Sequence, residues 1–322
     1  MTRFPTRVFD LFFTPRMPEP YAGPTRRAWL WAVLAAVLVV FPGVEVLSAL
    51  DGLAKVIEGH PVDPLGDYSA LAVVVVVFFS GLPLVLVWAG LRLISDRMAR
   101  LGLLARPARE TAVATWWTFV WIFALGGVLE FGLGWLLTLV PGAARYTAHV
   151  DVGGGVSFGQ LAAIGIPAAV SAGFAEEIVV LGFAYRMLER LGLSDRAILA
   201  LLVALRLSYH LYYGVGALVL LPWAFLSVVY YRRYRRLWPL IIGHLLWDMF
   251  AILTSTSTLA QLVGLLTSGL LVAIGVAVAV VRWRRVRRGP LLTLAIPRPR
   301  PRWRAAQPRL PRTSVPHIPI GF

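Results

Sequence analysis

Long runs of uncharged, apolar residues alternate along this chain with shorter segments that carry most of the charge. A helix that crosses a bilayer needs roughly 20 predominantly apolar residues, and several of the runs reach that length. The pattern predicts an all-α fold, a polytopic transmembrane helical bundle of about eight spans. The predicted spans are residues 28–50, 69–90, 111–140, 153–185, 197–213, 217–231, 237–252 and 259–281.

Composition supports a membrane protein. Of the 322 residues, 58% are hydrophobic, and the mean hydropathy of +0.74 excludes a soluble globular protein. The chain contains no cysteine, which excludes disulfides, thiolate metal ligands and a cysteine nucleophile. The formal net charge is +15, but the basic residues lie between and after the apolar runs. We therefore expect no nucleic-acid partner, and we expect the basic loops to attract anionic lipid.

The alternation of basic segments predicts the orientation of the chain. Basic loops remain in the cytoplasm, so both termini are expected to be cytoplasmic in a multi-pass protein of the plasma membrane. The basic segments are residues 1–27, 92–109, 186–196, 232–236 and the tail from residue 282. The chain thus divides into a cytoplasmic N-terminal segment, residues 1–27, and a transmembrane domain, residues 28–281. A Pro- and Arg-rich cytoplasmic tail follows at residues 282–322 and is expected to be disordered.

Two adjacent carboxylates, Glu176 and Glu177, lie inside the fourth predicted span. Ionisable groups are costly in hydrocarbon, so they are usually paired and often functional, although a pair kept only for packing is an alternative. Glu176 lies ten residues before Arg186, hence about 15 Å from the cytoplasmic end of its helix. The same rise places Arg206 at a depth of about 15 Å and Asp248 at about 18 Å. Three spans therefore bring ionisable residues to one layer of the membrane.

The histidines of this layer are spaced as partners on helix faces. His244 and Asp248 are one helical turn apart, and so are Arg206 and His210. Two imidazoles and three carboxylates at matched depth favour activation of a water molecule by a carboxylate–imidazole pair. Further donors in the same layer are suited to stabilising an oxyanion.

These residues carry a resemblance to a known family. The motifs are, in order, Glu176-Glu177 with Gly182, Ser-Tyr-His210, and His244-Leu-Leu-Trp-Asp248. In order and spacing they resemble the CPBP family of intramembrane proteases, which includes the CaaX prenyl endopeptidases of the Ras-converting type and bacteriocin-immunity-like proteins. The resemblance covers about residues 155–255. It implies an endopeptidase acting on a membrane-associated peptide or protein, with C-terminal CaaX-like processing as the family analogy.

The resemblance also implies a role for each motif residue. Glu176 is implied as the general base that, with His210, polarises a water molecule. Glu177 is implied as a supporting carboxylate. His244 and Asp248 are implied as the pair that stabilises the oxyanion or positions the substrate.

Two positions depart from the family pattern, which has an arginine on the glutamate helix and a phenylalanine one turn before the first histidine. Leu181 stands at the arginine position, and Arg206 stands at the phenylalanine position. A carboxylate in hydrocarbon needs a compensating cation. We therefore expect an ion pair between Arg206 and Glu177 across the fourth and fifth spans, with Glu176 left free for water.

Three alternatives stay open on the sequence alone. A zinc site built from His210, His244 and a glutamate is compatible with the residues, but no His-Glu-x-x-His helix supports it, and we favour metal-free activation. A catalytically silent immunity or binding protein of the same family is the main alternative function. A proton-coupled transporter is weaker, because no inverted repeat is evident and the buried charges concentrate in one half of the chain.

Overall fold

A computed structural model describes residues 27–60, 70–94, 96, 98–103, 107–147, 158–254 and 258–288. These residues are predominantly helical and contain no β-strand, in agreement with the predicted all-α class. The contacts divide the chain into one unit ending at Ala277 and a second beginning at Val278. The site described below lies in the first unit. In the second unit the described residues, up to Arg288, continue a helix.

The helices are labelled in chain order. Two long helices, α4 (Ala108–Thr138) and α5 (residues 158–190), are continuous, and each contains a π-helical segment, at Phe119–Ala124 and Glu176–Ala184 respectively. Short 3-10 helices connect other elements at Met98–Leu101, Ala143–Tyr146, Leu211–Tyr213 and Val215–Leu220. The helices are α1 Arg27–Val40, α2 Gly43–Glu58, α3 Ala70–Leu93, α4 Ala108–Thr138, α5 Phe158–Ala175 continued by Glu176–Ala184 and Tyr185–Arg190, α6 Asp195–Ser208, α7 Leu221–Tyr234, α8 Trp238–Thr254 and α9 Thr258–Arg288.

Among the described residues, four helices are long and apolar enough to cross a membrane: Ala108–Thr138, Gly165–Arg190, Val215–Tyr234 and Leu259–Val281. The pair α1–α2, bent by 43°, makes a fifth if it is counted as one span. Parts of α3 and α8 are apolar but shorter. α5 is the central helix. In its apolar stretch 61% of the residues are buried inside the protein, compared with 17–44% in the other three spanning helices.

The first apolar run differs from the single predicted span. It forms two helices that meet at Phe41 and Pro42. Proline has no N–H to continue the hydrogen-bond ladder, which accounts for the break. The second helix, α2, continues to Glu58, so residues 51–58 are helical although the sequence placed them in an acidic connection.

The fifth predicted span is also shorter than expected. α6 begins where the Ser194 hydroxyl accepts a hydrogen bond from the Ala197 N–H at 3.3 Å, and it ends at Ser208 instead of Tyr213. The chain then turns sharply at Gly214, whose φ is +62°. The backbone of Tyr146 approaches so closely that a Cβ at Gly214 would lie 2.0 Å from its carbonyl oxygen, which requires glycine.

The last helix is longer than predicted. α9 runs without a break to Arg288, so residues 282–288 of the expected tail are helical. The remainder of that tail, residues 289–322, and nearly all of the N-terminal segment 1–27 lie outside the described residues.

Ion pairs join the loops at one end of the bundle. Asp96 lies 3.0 Å from Arg190 and 3.6 Å from Arg186, and Glu189 accepts hydrogen bonds from Arg235. Burial disfavours the charge of Arg235, but the hydrogen bonds and charge of Glu189 raise its pKa above the ordinary value. Further contacts at this end are Arg232 with Asp195 at 3.0 Å and Arg27 with the Leu191 carbonyl at 2.8 Å. The connections after α3, α5 and α7 therefore lie together.

Candidate active site

The two adjacent glutamates open the π-helical segment Glu176–Ala184 of α5. π-helical turns are rare and occur often at functional sites. Glu177 is fully buried, and Glu176 is 8% exposed. Within this segment a Cβ at Gly182 would lie 2.8 Å from Leu237, so glycine allows α5 to pack closely there. The central helix thus carries both carboxylates into the interior of the bundle.

Glu177 is held by two basic side chains from two other helices. From α6, Arg206 donates through Nη2 to Oε1 at 2.7 Å and through Nη1 to Oε2 at 3.3 Å. From α8, the Nδ1 of His244 lies 2.9 Å from Oε1. Bidentate pairing with an arginine satisfies both oxygens of a carboxylate. Glu177 therefore has its charge balanced inside the bundle and connects three helices.

The structure brings Arg206 and Glu177 together in the contact expected from the missing motif arginine. Both side chains are fully buried, and Leu181, at the position of that arginine, lies in the hydrophobic core. The guanidinium carbon of Arg206 lies 4.0 Å from the ring centroid of Trp223, a cation–π contact. Arg206 is thus fixed by a carboxylate at its edge and an indole ring at its face.

Glu176 is less free than the sequence indicated. Its Oε2 accepts a hydrogen bond from the Tyr209 hydroxyl at 2.6 Å and lies 3.7 Å from the Nη2 of Arg206. Both contacts fall on the same oxygen. Within the described residues the other oxygen, Oε1, has no hydrogen-bond partner, and 11% of the side chain is exposed. A water molecule approaching Glu176 therefore finds one carboxylate oxygen available.

His210 lies just beyond the end of α6, in the turn that follows Ser208, and not on the helix as predicted. Its Nδ1 is 2.8 Å from the backbone oxygen of Arg206. A carbonyl oxygen only accepts hydrogen bonds, so this contact requires a proton on Nδ1. In the neutral ring Nε2 then carries the lone pair and can accept a proton.

His244 and Asp248 point into the same space from one face of α8, as their spacing predicted. The Nε2 of His244 lies 3.6 Å from the Oδ2 of Asp248. His244 is 4% exposed as a residue, whereas 28% of the Asp248 side chain is exposed. Exposure therefore increases along three side chains in successive contact, from the buried Glu177 through His244 to the partly exposed Asp248.

Two aromatic residues that the sequence did not single out complete the arrangement. Tyr209 donates to Glu176, and the Trp223 ring from α7 packs edge-on against His210 at 5.6 Å and His244 at 5.2 Å between centroids. Tyr209 directly precedes His210 in the motif segment, and that position was a usable signal. Trp223 has no comparable signal, because an aromatic residue in an apolar run is ordinary.

The described residues do not form a ligand set for a metal ion. No group of three or more His, Asp or Glu side chains in the described part of the chain has a suitable arrangement. The zinc site considered from the sequence is therefore not assembled among the described residues, and we derive no step through a metal.

Comparison with known proteins identifies one matching region. Residues 158–250 match the family model described as "Type II CAAX prenyl endopeptidase Rce1-like". This range lies within the segment 155–255 expected from the motifs and contains all six predicted site residues, Glu176, Glu177, Arg206, His210, His244 and Asp248. No curated protein and no solved structure matches the chain.

Proposed function

We propose that this multi-pass membrane protein is an intramembrane endopeptidase that hydrolyses a peptide bond with a glutamate-activated water. The family supports the proposal, because residues 158–250 belong to the Rce1-like type II CAAX prenyl endopeptidases. One observation carries the proposal. Among the described residues, one carboxylate oxygen of Glu176 has no hydrogen-bond partner, beside a Glu177 whose charge is balanced by Arg206. A base for water needs such an oxygen.

In the proposed reaction Oε1 of Glu176 accepts a proton from water while the water oxygen attacks the scissile carbonyl carbon. The C=O becomes a tetrahedral oxyanion. The abstracted proton then passes to the leaving nitrogen, directly or through Nε2 of His210, as the C–N bond breaks. The products are a new carboxyl group and a new amine, and neither an oxidant nor a cofactor is needed.

Glu177 is proposed as the supporting carboxylate, since it holds Arg206 and His244 in place through the contacts described above. His244, oriented between Glu177 and Asp248, is proposed to donate to the oxyanion or to position the substrate carbonyl. Fixed donors in a site shielded from water stabilise developing negative charge more strongly than water does.

The proposed substrate is a membrane-associated peptide or protein, with a C-terminal CaaX-like sequence as the first class to examine. The test is to incubate the purified protein with matched peptides that carry or lack a farnesyl group. Cleavage near the C-terminus, followed by mass spectrometry, supports the proposal. A folded protein that binds these peptides without cleaving them favours the silent immunity or binding alternative, for which the loss of the motif arginine at Leu181 is the motivating observation.

We further propose that the bundle has about eight spans with both termini in the cytoplasm, facing anionic lipid through its basic loops. Support comes from the ion pairs at one end, which gather the basic connections around Asp96, Glu189 and Asp195. The backbone bridge between Thr147 and Gly214 brings together two of the less basic connections, those that follow α4 and α6.

Single cysteines test this orientation cleanly, because the chain has none of its own. Arg233→Cys and Glu110→Cys are expected to react with a membrane-impermeant maleimide only after the membrane is opened. His60→Cys, at a position 66% exposed, is expected to react in intact cells. Labelling of Arg233→Cys and Glu110→Cys from opposite sides would overturn the arrangement.

A further inference from the structure

We infer that Tyr209 is a positioning residue that orients the carboxylate of Glu176 through its hydroxyl. The inference rests on the proposed function and adds to it a residue outside the predicted set. The observation behind the inference is the hydrogen bond from the Tyr209 hydroxyl to Oε2 of Glu176, at 2.6 Å. Hydrogen bonds from a hydroxyl to a carboxylate are short and strong, in about this range.

The position of this contact on the carboxylate decides what it does. A glutamate carboxylate can rotate about its last side-chain bond, and that torsion has no sharp preference. The hydrogen bond from Tyr209 and the approach of Arg206, at 3.7 Å, both fall on Oε2, and within the described residues Oε1 accepts no hydrogen bond. The hydrogen bond from Tyr209, together with the charge of Arg206 nearby, favours one orientation of the carboxylate and leaves Oε1 as the oxygen that can meet a water molecule. Tyr209 thereby selects which oxygen of Glu176 meets the water.

The Tyr209 ring is itself held firmly. The residue is 5% exposed and lies immediately after the end of α6. Its ring centroid lies 4.7 Å from that of His210 and 6.5 Å from that of Phe41. Phe41 belongs to the break between α1 and α2, outside the region that matches the family model. The bent helix pair therefore supports the residue that orients the proposed base.

Tyr209→Phe removes the hydroxyl and keeps the ring with its packing. We expect kcat to fall roughly 10- to 100-fold, the cost of a misplaced reacting group. KM is expected to stay within about twofold, because Tyr209 contacts Glu176 and is not assigned to the substrate. The readout is steady-state cleavage of a prenylated peptide by each purified variant.

Two matched controls separate this role from a general loss of a buried hydroxyl. Tyr231→Phe removes a hydroxyl that donates to the Leu101 carbonyl at 3.0 Å, away from the site. Tyr185→Phe removes a buried hydroxyl that has no hydrogen-bond partner in the described structure. Both controls are expected to retain kcat within about twofold, since neither hydroxyl contacts a proposed site residue.

A double-mutant cycle with Glu176→Gln gives a readout that a merely structural role would not produce. If Tyr209 acts through Glu176, Tyr209→Phe lowers the wild-type rate but lowers the residual rate of Glu176→Gln by less than about twofold. An equal loss in both backgrounds, or an unchanged kcat in an active wild-type background, overturns the inference and leaves the proposed function standing. A folded wild-type protein that hydrolyses no peptide overturns the proposed function and this inference with it.

Discussion

Replacing Arg206 with leucine is expected to lower the free energy of unfolding by about 3–5 kcal/mol and to abolish activity. Arg206 and Glu177 are both fully buried, and the bidentate contact is the main compensation of the Glu177 charge. Removing one partner leaves the other charge stranded in the interior, which costs far more than the intact pair contributes. Unfolding by denaturant in detergent micelles measures the loss.

Arg233→Leu is the matched control for that experiment, because Arg233 is an exposed arginine at the end of α7. Its stability is expected to change by no more than about 0.5 kcal/mol. Arg206→Phe with Leu181→Arg restores the arrangement of the family pattern and is expected to recover part of what Arg206→Phe alone loses. Equal stability of Arg206→Leu and wild type would contradict the ion-pair account.

Glu176→Gln is expected to lower kcat by roughly two orders of magnitude or more, the range for loss of a general base. The amide keeps the size of the side chain, and its oxygen can still accept the hydroxyl of Tyr209. Folding and membrane insertion are therefore expected to change little. Retention of near-full turnover by a well-folded Glu176→Gln protein would remove Glu176 from the proposed role.

The contact of Arg206 with Glu177 could be predicted from the sequence. The constant rise of a helix predicted that Arg206 and Glu177 lie at the same depth in the membrane. The cost of a carboxylate in hydrocarbon predicted that Glu177 needs a cation beside it. Both are general physical constraints that do not depend on the details of packing. Helical periodicity, another general constraint, placed His244 and Asp248 on one face of α8, as the structure has them.

The fine geometry around Glu176 did not follow from the sequence. The hydrogen bond from Tyr209 depends on where α6 ends, and α6 ends at Ser208, before the end of its apolar run. Apolar composition continues across that boundary, so hydropathy alone does not show it. The contacts of Trp223 depend on how α7 packs against α6 and α8, which periodicity within one helix cannot specify.

The central claim is that Glu176 activates water for peptide hydrolysis, and cleavage in ¹⁸O-labelled water tests it most directly. Purified wild-type protein and Glu176→Gln are incubated in parallel with a farnesylated CaaX peptide, and the products are weighed by mass spectrometry. The account predicts a wild-type product whose new carboxyl group carries one ¹⁸O atom, and a Glu176→Gln rate lower by roughly 100-fold or more. Equal cleavage by the two proteins, or no cleavage by folded wild-type protein, would contradict it.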